Sequence, residues 1–283
     1  MREDKVKHIM AQVKAFPGMP ATATKLLNLL ENPDTAGSQI EELIRYDAGL
    51  TANILKLTNS AYFGIPSKIS SIKQAVLLLG WKRLLQLVMT MCMSSVMKKP
   101  IVGYDMPNGE LWRHSIAVSV AAELLVKTLK LPQAEDVFTA ALLHDVGKLV
   151  LGGFVRDDLQ QIEAMVAKGI GFEVAEYMVL GTDHAEVGAR ILEKWGFPME
   201  LVNAVGWHHD PQTCEVQCTL SDIVHTANIL GLMIGLGNSK EEFEIEPSNE
   251  VTDRLGLKPG QLDVLVEQTQ AGVDKLADIL SAS

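Results

Sequence analysis

Cysteine is scarce in this chain, with Cys92, Cys214 and Cys218 the only three. An odd and sparse set excludes a disulfide scaffold and suits a reducing compartment. Long apolar runs are missing too. The longest, Leu84 to Met97, is interrupted by Gln86, Thr90, Ser94 and Ser95 and falls short of the roughly 20 residues a bilayer requires. The opening MREDKVKH has no apolar signal-peptide core. These absences lead to the expectation of a soluble, cytoplasmic protein with no membrane association. Strand-like alternation and internal repeats are also lacking, which leaves an all-α class. What is present suffices for a full core: hydrophobic residues make up 47% and charged residues 21% of 283, ordinary values for a globular chain of one large or two small domains.

The chain carries 25 basic and 35 acidic residues, a formal charge of −10, which argues against duplex-DNA binding through phosphate neutralisation. The balance is uneven. Between Asp47 and Asp105 there is no acid, only Lys56, Lys68, Lys73, Lys82, Arg83, Lys98 and Lys99. Such a segment either attracts an acidic partner or forms the solvated ends of apolar helices.

Helical periodicity runs nearly throughout. Apolar residues repeat at three and four from Met10 to Leu30, and Asn32-Pro33-Asp34 stops them. Ser38 with Glu41 forms a capping-box start, and Asp47 is placed to cap a helix running to Asn59. A turn at Gly64-Ile65-Pro66 precedes a long apolar helix from about Ser71 to Met97, whose Met89, Met91, Met93 and Met97 fill core or form an adaptable surface. Pro100–Gly109 reads as a linker. Helices are then expected near 111–129, 134–151, 159–169, 174–180, 183–195, 198–208 and 220–233. An acidic loop over 239–253 precedes an amphipathic helix with Leu262, Leu265, Val266, Val273, Leu276 and Leu280 on one face.

Histidines are concentrated: His114, His144, His184, His208, His209 and His225 lie within 112 residues, leaving only His8 outside. The stretch 134–151 is apolar almost all round and predicts a buried helix. His144 and Asp145 at its middle would cost several kcal/mol unless paired or metal-bound. A His-Asp pair with further helical histidines is best explained by a divalent metal, since mixed nitrogen and carboxylate ligands suit iron, manganese, zinc or nickel. The carboxylate is able to bridge two ions. Gly147 permits close approach of another backbone. Lys148, one turn beyond His144, either faces the same cavity or snorkels at the helix end. Cys214 and Cys218 are one helical turn apart and read more simply as small hydrophobes than as a zinc site. His225 is either a supporting group behind a ligand or a core histidine.

His114, His144-Asp145-Val-Gly-Lys148, Asp183-His184-Ala-Glu-Val-Gly188 and His208-His209-Asp-Pro211 resemble the HD metallohydrolase superfamily. The segments FPGMPATATKLLNLLENPD, DAGLTANILKLTNSAYFGIPSKISSIKQAVLLLGW and LWRHSIA narrow the resemblance to the HDOD family of bacterial signalling proteins, over about Phe16 to Leu236. That resemblance implies an all-helical fold with an N-terminal lobe over 1–105 and an HD-type metal-binding core over 106–236. Residues 237–283 form the acidic loop and last helix. It also implies a divalent transition metal, one or two ions per chain and iron or manganese first, held by His114, His144, Asp145, His184, His208 and His209. Asn228 stands where the superfamily closes its first metal with an aspartate, in Ile223-Val224-His225-Thr226-Ala227-Asn228. Asp222 lies six residues earlier and is not on the same helix face. The Gly-Tyr-Pro element of HD-GYP phosphodiesterases is replaced by Asp210-Pro211-Gln212-Thr213. Two functions follow from the resemblance. One is a regulatory module that acts through a signalling protein partner or a phosphorylated small ligand. The other is a metal-dependent phosphohydrolase or phosphodiesterase, with Asp145 and Lys148 as the catalytic pair.

Overall fold

The computed structural model describes residues 2–19, 24–25, 41–44, 48–66, 68–131, 136–214, 219–237, 247–258 and 260–282. Among them regular structure is helical, with an isolated bridge between Ile101 and Met106 and no strand. In chain order the helices are α1 (Arg2–Ala15), α2 (Ala48–Thr58), α3 (Ile72–Met97), a 3₁₀ turn at Val102–Tyr104, α4 (Glu110–Leu129), α5 (Val137–Leu143) and α6 (Lys148–Val166). There follow α7 (Phe172–Leu180), α8 (His184–Lys194), α9 (Met199–Gly206), α10 (Thr219–Met233), α11 (Asn249–Leu255) and α12 (Gln261–Ala282). The fold is all-α, as the periodicity predicts.

Two compact units divide the chain, Met1–Pro17 with Met97–Ala271 and Gly18–Val96 with Gly272–Ser283. In the first, α4 is the central helix. Leu111, Trp112, Ile116, Val118, Ala121 and Leu125 are all buried, so apolar surface surrounds it and helices must cover every side. α10 and α5 pack directly on α4, α9 packs on α10, and α8 on α9. α1 belongs to this unit as well. Lys5 pairs with Asp158 at 2.8 Å, and the Lys194 ammonium donates to the Lys14 carbonyl at 2.7 Å. A cation there satisfies helix-end carbonyls and opposes the negative end of the dipole.

In the second unit α3 bends at Gly80, whose φ of 79° and ψ of 165° lie outside helical space. Arg83 donates to Gln86 at 2.7 Å and lies 5.2 Å from the centre of the Phe63 ring. Of the basic run, this guanidinium is therefore engaged within its own unit. Met89 and Met93 are buried in core.

Several boundaries differ from the expected ones for local reasons. The helix expected over 10–30 starts at Arg2 and ends at Ala15, because Pro17 disfavours helical geometry at the residue before it. Residues 20–23 and 26–40, including Ser38 of the capping box, fall outside the described residues, as do Asp47 and Cys218. The segment expected as a linker over 100–109 buries Ile101, Tyr104 and Met106, and its Gly103 lies where an added Cβ would sit 2.2 Å from the Gly152 carbonyl on α6. The expected helix 134–151 is two helices with a turn over 144–147. The reason is visible at Ala141, whose carbonyl accepts from the His144 ring at 2.7 Å instead of from a backbone amide one turn on. α6 then runs unbroken through the start expected at 159. Within the acidic loop, Ser248 caps α11 by accepting from Val251 N at 3.2 Å. The stretch 137–166 is apolar enough to span a membrane by composition, yet 78% of its most apolar window is buried, as a core helix should be.

Candidate metal centre

The break between α5 and α6 presents His144 and Asp145 together at the middle of the first unit. Both side chains are buried. Gly147 makes the turn possible: an added Cβ there would lie 1.9 Å from the His184 carbonyl and 2.7 Å from Gly188 N. The close approach expected of Gly147 is thus made by the first turns of α8, bringing His184 against Asp145. Asp183 caps α8 by accepting from Glu186 N at 2.8 Å, which fixes His184 as the first helical residue. α4 supplies His114. The end of α9 supplies His208 and His209.

These residues form two groups whose ligand atoms lie within 4.8 Å of one another, His114, His144 and Asp145 in one and His184, His208 and His209 in the other. Asp145 faces both. Its Oδ2 is 3.5 Å from His114 Nε2 and 3.3 Å from His144 Nε2. Its Oδ1 is 3.5 Å from His184 Nε2 and 3.9 Å from His208 Nε2.

The far ring nitrogens determine the tautomers. His114 Nδ1 faces the Leu236 carbonyl at 3.0 Å, His144 Nδ1 the Ala141 carbonyl at 2.7 Å and His208 Nδ1 the Val205 carbonyl at 2.7 Å. A carbonyl only accepts, so each Nδ1 carries the hydrogen, and in the neutral ring Nε2 presents a lone pair to the centre. His114 Nε2 and His144 Nε2 nevertheless stand 3.2 Å apart. A proton on one of the two nitrogens or a shared divalent ion holds such a pair together. Burial holds His114 neutral, at about 3, against the opposing pull of Asp145. Loss of hydration likewise pushes His208 and His209 well below the usual imidazole range.

His184 differs. Burial lowers it, but the neighbouring Glu176 charge outweighs burial and raises it to about 9. Glu176 is fully buried, and its Oε2 accepts from His184 Nδ1 at 2.7 Å and from His184 N at 3.1 Å. Its Oε1 accepts from the buried Tyr104 hydroxyl. A carboxylate behind a ligand histidine is the usual means of fixing its orientation. Lys148, fully buried, donates to Asp145 Oδ2 at 2.9 Å, and its ammonium lies 5.4 Å from the centre of the Tyr104 ring. Burial alone would raise Asp145, but His144 and Lys148 outweigh it and keep its carboxyl well below the usual range. Of the two expectations for Lys148, the structure excludes snorkelling.

The fit to a metal rests on buried atoms without hydrogen bonds. Asp145 Oδ1, His208 Nε2 and Asn228 Oδ1 have none among the described residues. Leaving such an atom unmet costs about 1–3 kcal/mol, and the first two of these face each other at 3.9 Å within the histidine cluster. Nitrogen and carboxylate donors together fit borderline divalent transition metals. Asn228 lies on α10, and Gly231, one turn further along, sits where a Cβ would be 3.4 Å from His114 Nδ1. Asp222 is paired with Arg254 at 2.9 and 2.5 Å and so is committed elsewhere. His225 donates from Nδ1 to the His208 carbonyl at 2.8 Å, supporting that loop from behind.

One side of the centre opens to a pocket of about 630 Å³ whose lining includes His209, His225, Asp183 and Trp207. Sequence reasoning missed Glu176, Tyr104 and this pocket. For Glu176 a signal existed, a carboxylate in the middle of the largely apolar α7, three residues after Glu173.

The fold and this arrangement define the class: an all-helical protein with a buried histidine–aspartate centre. The HDOD domain model matches residues 16–211, and the chain belongs to the HDOD family. An uncharacterized protein of Treponema pallidum is 27% identical over 224 residues, 78% of this chain, and the match spans only 43% of that longer protein. The crystal structure of an HDOD domain protein of unknown function from Geobacter sulfurreducens is 25% identical with a TM-score of 0.74, covering 99% of this chain and 96% of the other. A structure from Shewanella amazonensis named "Putative phosphohydrolase" has the same fold, at 24% identity and a TM-score of 0.74, covering 96% and 97%.

Proposed function

We propose that this HDOD protein holds two divalent metal ions at the His/Asp centre and hydrolyses a small phosphoester there. The observation that supports this most is the placement of Asp145, with one carboxylate oxygen toward His114 and His144 and the other toward His184 and His208. On this reading His114, His144 and Asp145 hold one ion, with Asn228 beside them. Asp145, His184, His208 and His209 hold the other. Bound divalent ions supply a water acidified toward a pKa of about 7 and charge neutralisation at phosphoryl oxygens. The chain's own residues do the rest. Lys148 keeps Asp145 ionised and aimed, Glu176 fixes the His184 ring, and the enclosing helices keep bulk water out. In the reaction a water oxygen bonds to phosphorus, the ester P–O bond breaks, and the alcohol leaves with a proton. The pocket reaching His209 admits the ester.

A regulatory role through a protein partner has its own support in the second unit. Leu77 and Leu78 are 76% and 57% exposed, beside the bend at Gly80, and an exposed apolar pair next to a basic run suits docking. A screen of phosphomonoesters and phosphodiesters with metal-loaded protein tests the enzymatic reading. Expected is turnover of at least one compound that Asp145→Ala abolishes while the protein stays folded. A wild-type protein loaded with metal yet inert toward every phosphoester would leave the partner-binding role.

A further inference from the structure

The pocket beside the centre has a chemistry that hydrolysis alone does not require. Three carboxyl-bearing residues, Glu173, Asp183 and Asp210, line it, and neither lysine nor arginine does so among the described residues. Two aromatic side chains line it as well, Tyr177 and Trp207, and they are 50% and 38% exposed. Solvent-facing aromatic rings among carboxylates are the combination that receives organic cations. Tyr177 already takes one within the molecule: the Arg2 guanidinium lies 5.0 Å from its ring centre, although Arg2 does not line the pocket.

His225 adds an independent indication. It lines the pocket while only 6% exposed. Its Nδ1 hydrogen goes to the His208 carbonyl, so in the neutral ring Nε2 carries a lone pair and no positive charge. A lining residue of this kind adds no cation of its own to the pocket, which suits a cationic ligand with or without an N–H. The volume of about 630 Å³ suits a small molecule. A ligand with several phosphates would set its charge against the three carboxylates.

We propose that the pocket binds an ammonium or quaternary ammonium group, so that the substrate is the phosphoester of an amino alcohol. Its phosphoryl end lies toward His209 and its cation lies among Tyr177, Trp207, Asp183 and Asp210. The phosphoryl half rests on the metal-centre reading above, and the cation half does not.

Calorimetric titration of the metal-loaded full chain separates the two, with choline, phosphorylcholine and ethyl phosphate as probes. Choline is expected to bind wild type and Asp145→Ala alike. Phosphorylcholine is expected to bind wild type at least about tenfold more tightly than ethyl phosphate, as a desolvated cation–aromatic contact allows. Trp207→Ala should weaken phosphorylcholine by about 3- to 30-fold and leave ethyl phosphate unchanged. Asp210→Asn and Asp183→Asn should weaken it in the same sense, the latter keeping an acceptor for the α8 cap. No binding of choline, or equal affinities for phosphorylcholine and ethyl phosphate, would overturn the cation pocket. Choline binding without ethyl phosphate binding would instead uphold the pocket and overturn the phosphoester reading.

Discussion

Replacing Glu176 with glutamine removes a charge from the centre while keeping its shape. Glu176 Oε2 accepts two bonds from His184, at 2.7 and 3.1 Å, and Oε1 accepts a third from Tyr104. A glutamine oxygen is able to keep the two His184 bonds, and the Tyr104 hydroxyl turns to accept from the new amide. What goes is charge assistance, the difference between about 1.5–3 kcal/mol for a bond to a charged group and about 1 kcal/mol for a neutral one. Supporting carboxylates of this kind change metal affinity by about 10- to 100-fold, so a loss near tenfold is expected for Glu176→Gln, measured by chelator competition. Metal-free protein offers a second, pH-dependent signature. His184 is raised from 6.5 to about 9, so it binds its proton more tightly folded than unfolded. The resulting stability is full below pH 6.5 and disappears as pH rises through 9. At about 1.36 kcal/mol per pKa unit the loss is on the order of 3 kcal/mol. His114, lowered from 6.5 to about 3, acts oppositely, costing stability as pH falls below 6.5 because only the unfolded chain takes up its proton. Melting temperature of chelator-stripped wild type should therefore peak near pH 6.5, and Glu176→Gln should flatten the alkaline limb alone. An identical alkaline limb in the variant, with unchanged metal affinity, would refute the role given to Glu176.

Gly147→Ala places a Cβ 1.9 Å from a backbone carbonyl of α8, and separation of the two elements should cost about 3 kcal/mol or more, read as a lowered melting temperature together with lost metal. Asn228→Asp supplies a charged oxygen where a buried amide oxygen has no partner. It should tighten metal binding about tenfold in a chelator titration, and equal affinities would dismiss Asn228 as a neighbour of the first ion. Arg254→Ala strands the buried Asp222 carboxylate. It should destabilise by about 2–4 kcal/mol by denaturant titration while leaving metal content unchanged, because that pair is separate from the centre.

The helical class was legible because apolar residues recur at three and four along α12, where Leu265, Val273 and Leu276 are buried, and because α4 and α10 are apolar over lengths that suit a helix buried on all sides. His144 and Asp145 stood out because a histidine and a carboxylate in an apolar stretch are costly without a partner, while His114, His184, His208 and His209 joined them through the resemblance to the HD superfamily. Helix continuity across 144–147 was not legible. The sequence there is unbroken and apolar, and the break depends on which atom claims the Ala141 carbonyl. Tyr104 was hidden by its neighbours, since prolines and glycines around it suggest a surface connection, whereas Gly103 and Gly152 let that segment press into α6. Glu176 lies eight residues from His184 with no local pattern linking them. The turn between α7 and α8, entered through Gly181 at a φ of 88°, brings carboxylate and ring together.

Elemental analysis of protein purified without added metal, under low oxygen, tests the central claim most directly. About two divalent transition-metal ions per folded chain are expected, falling sharply in Asp145→Ala. Folded wild-type protein that carries no metal, even after reconstitution with iron or manganese, would contradict it.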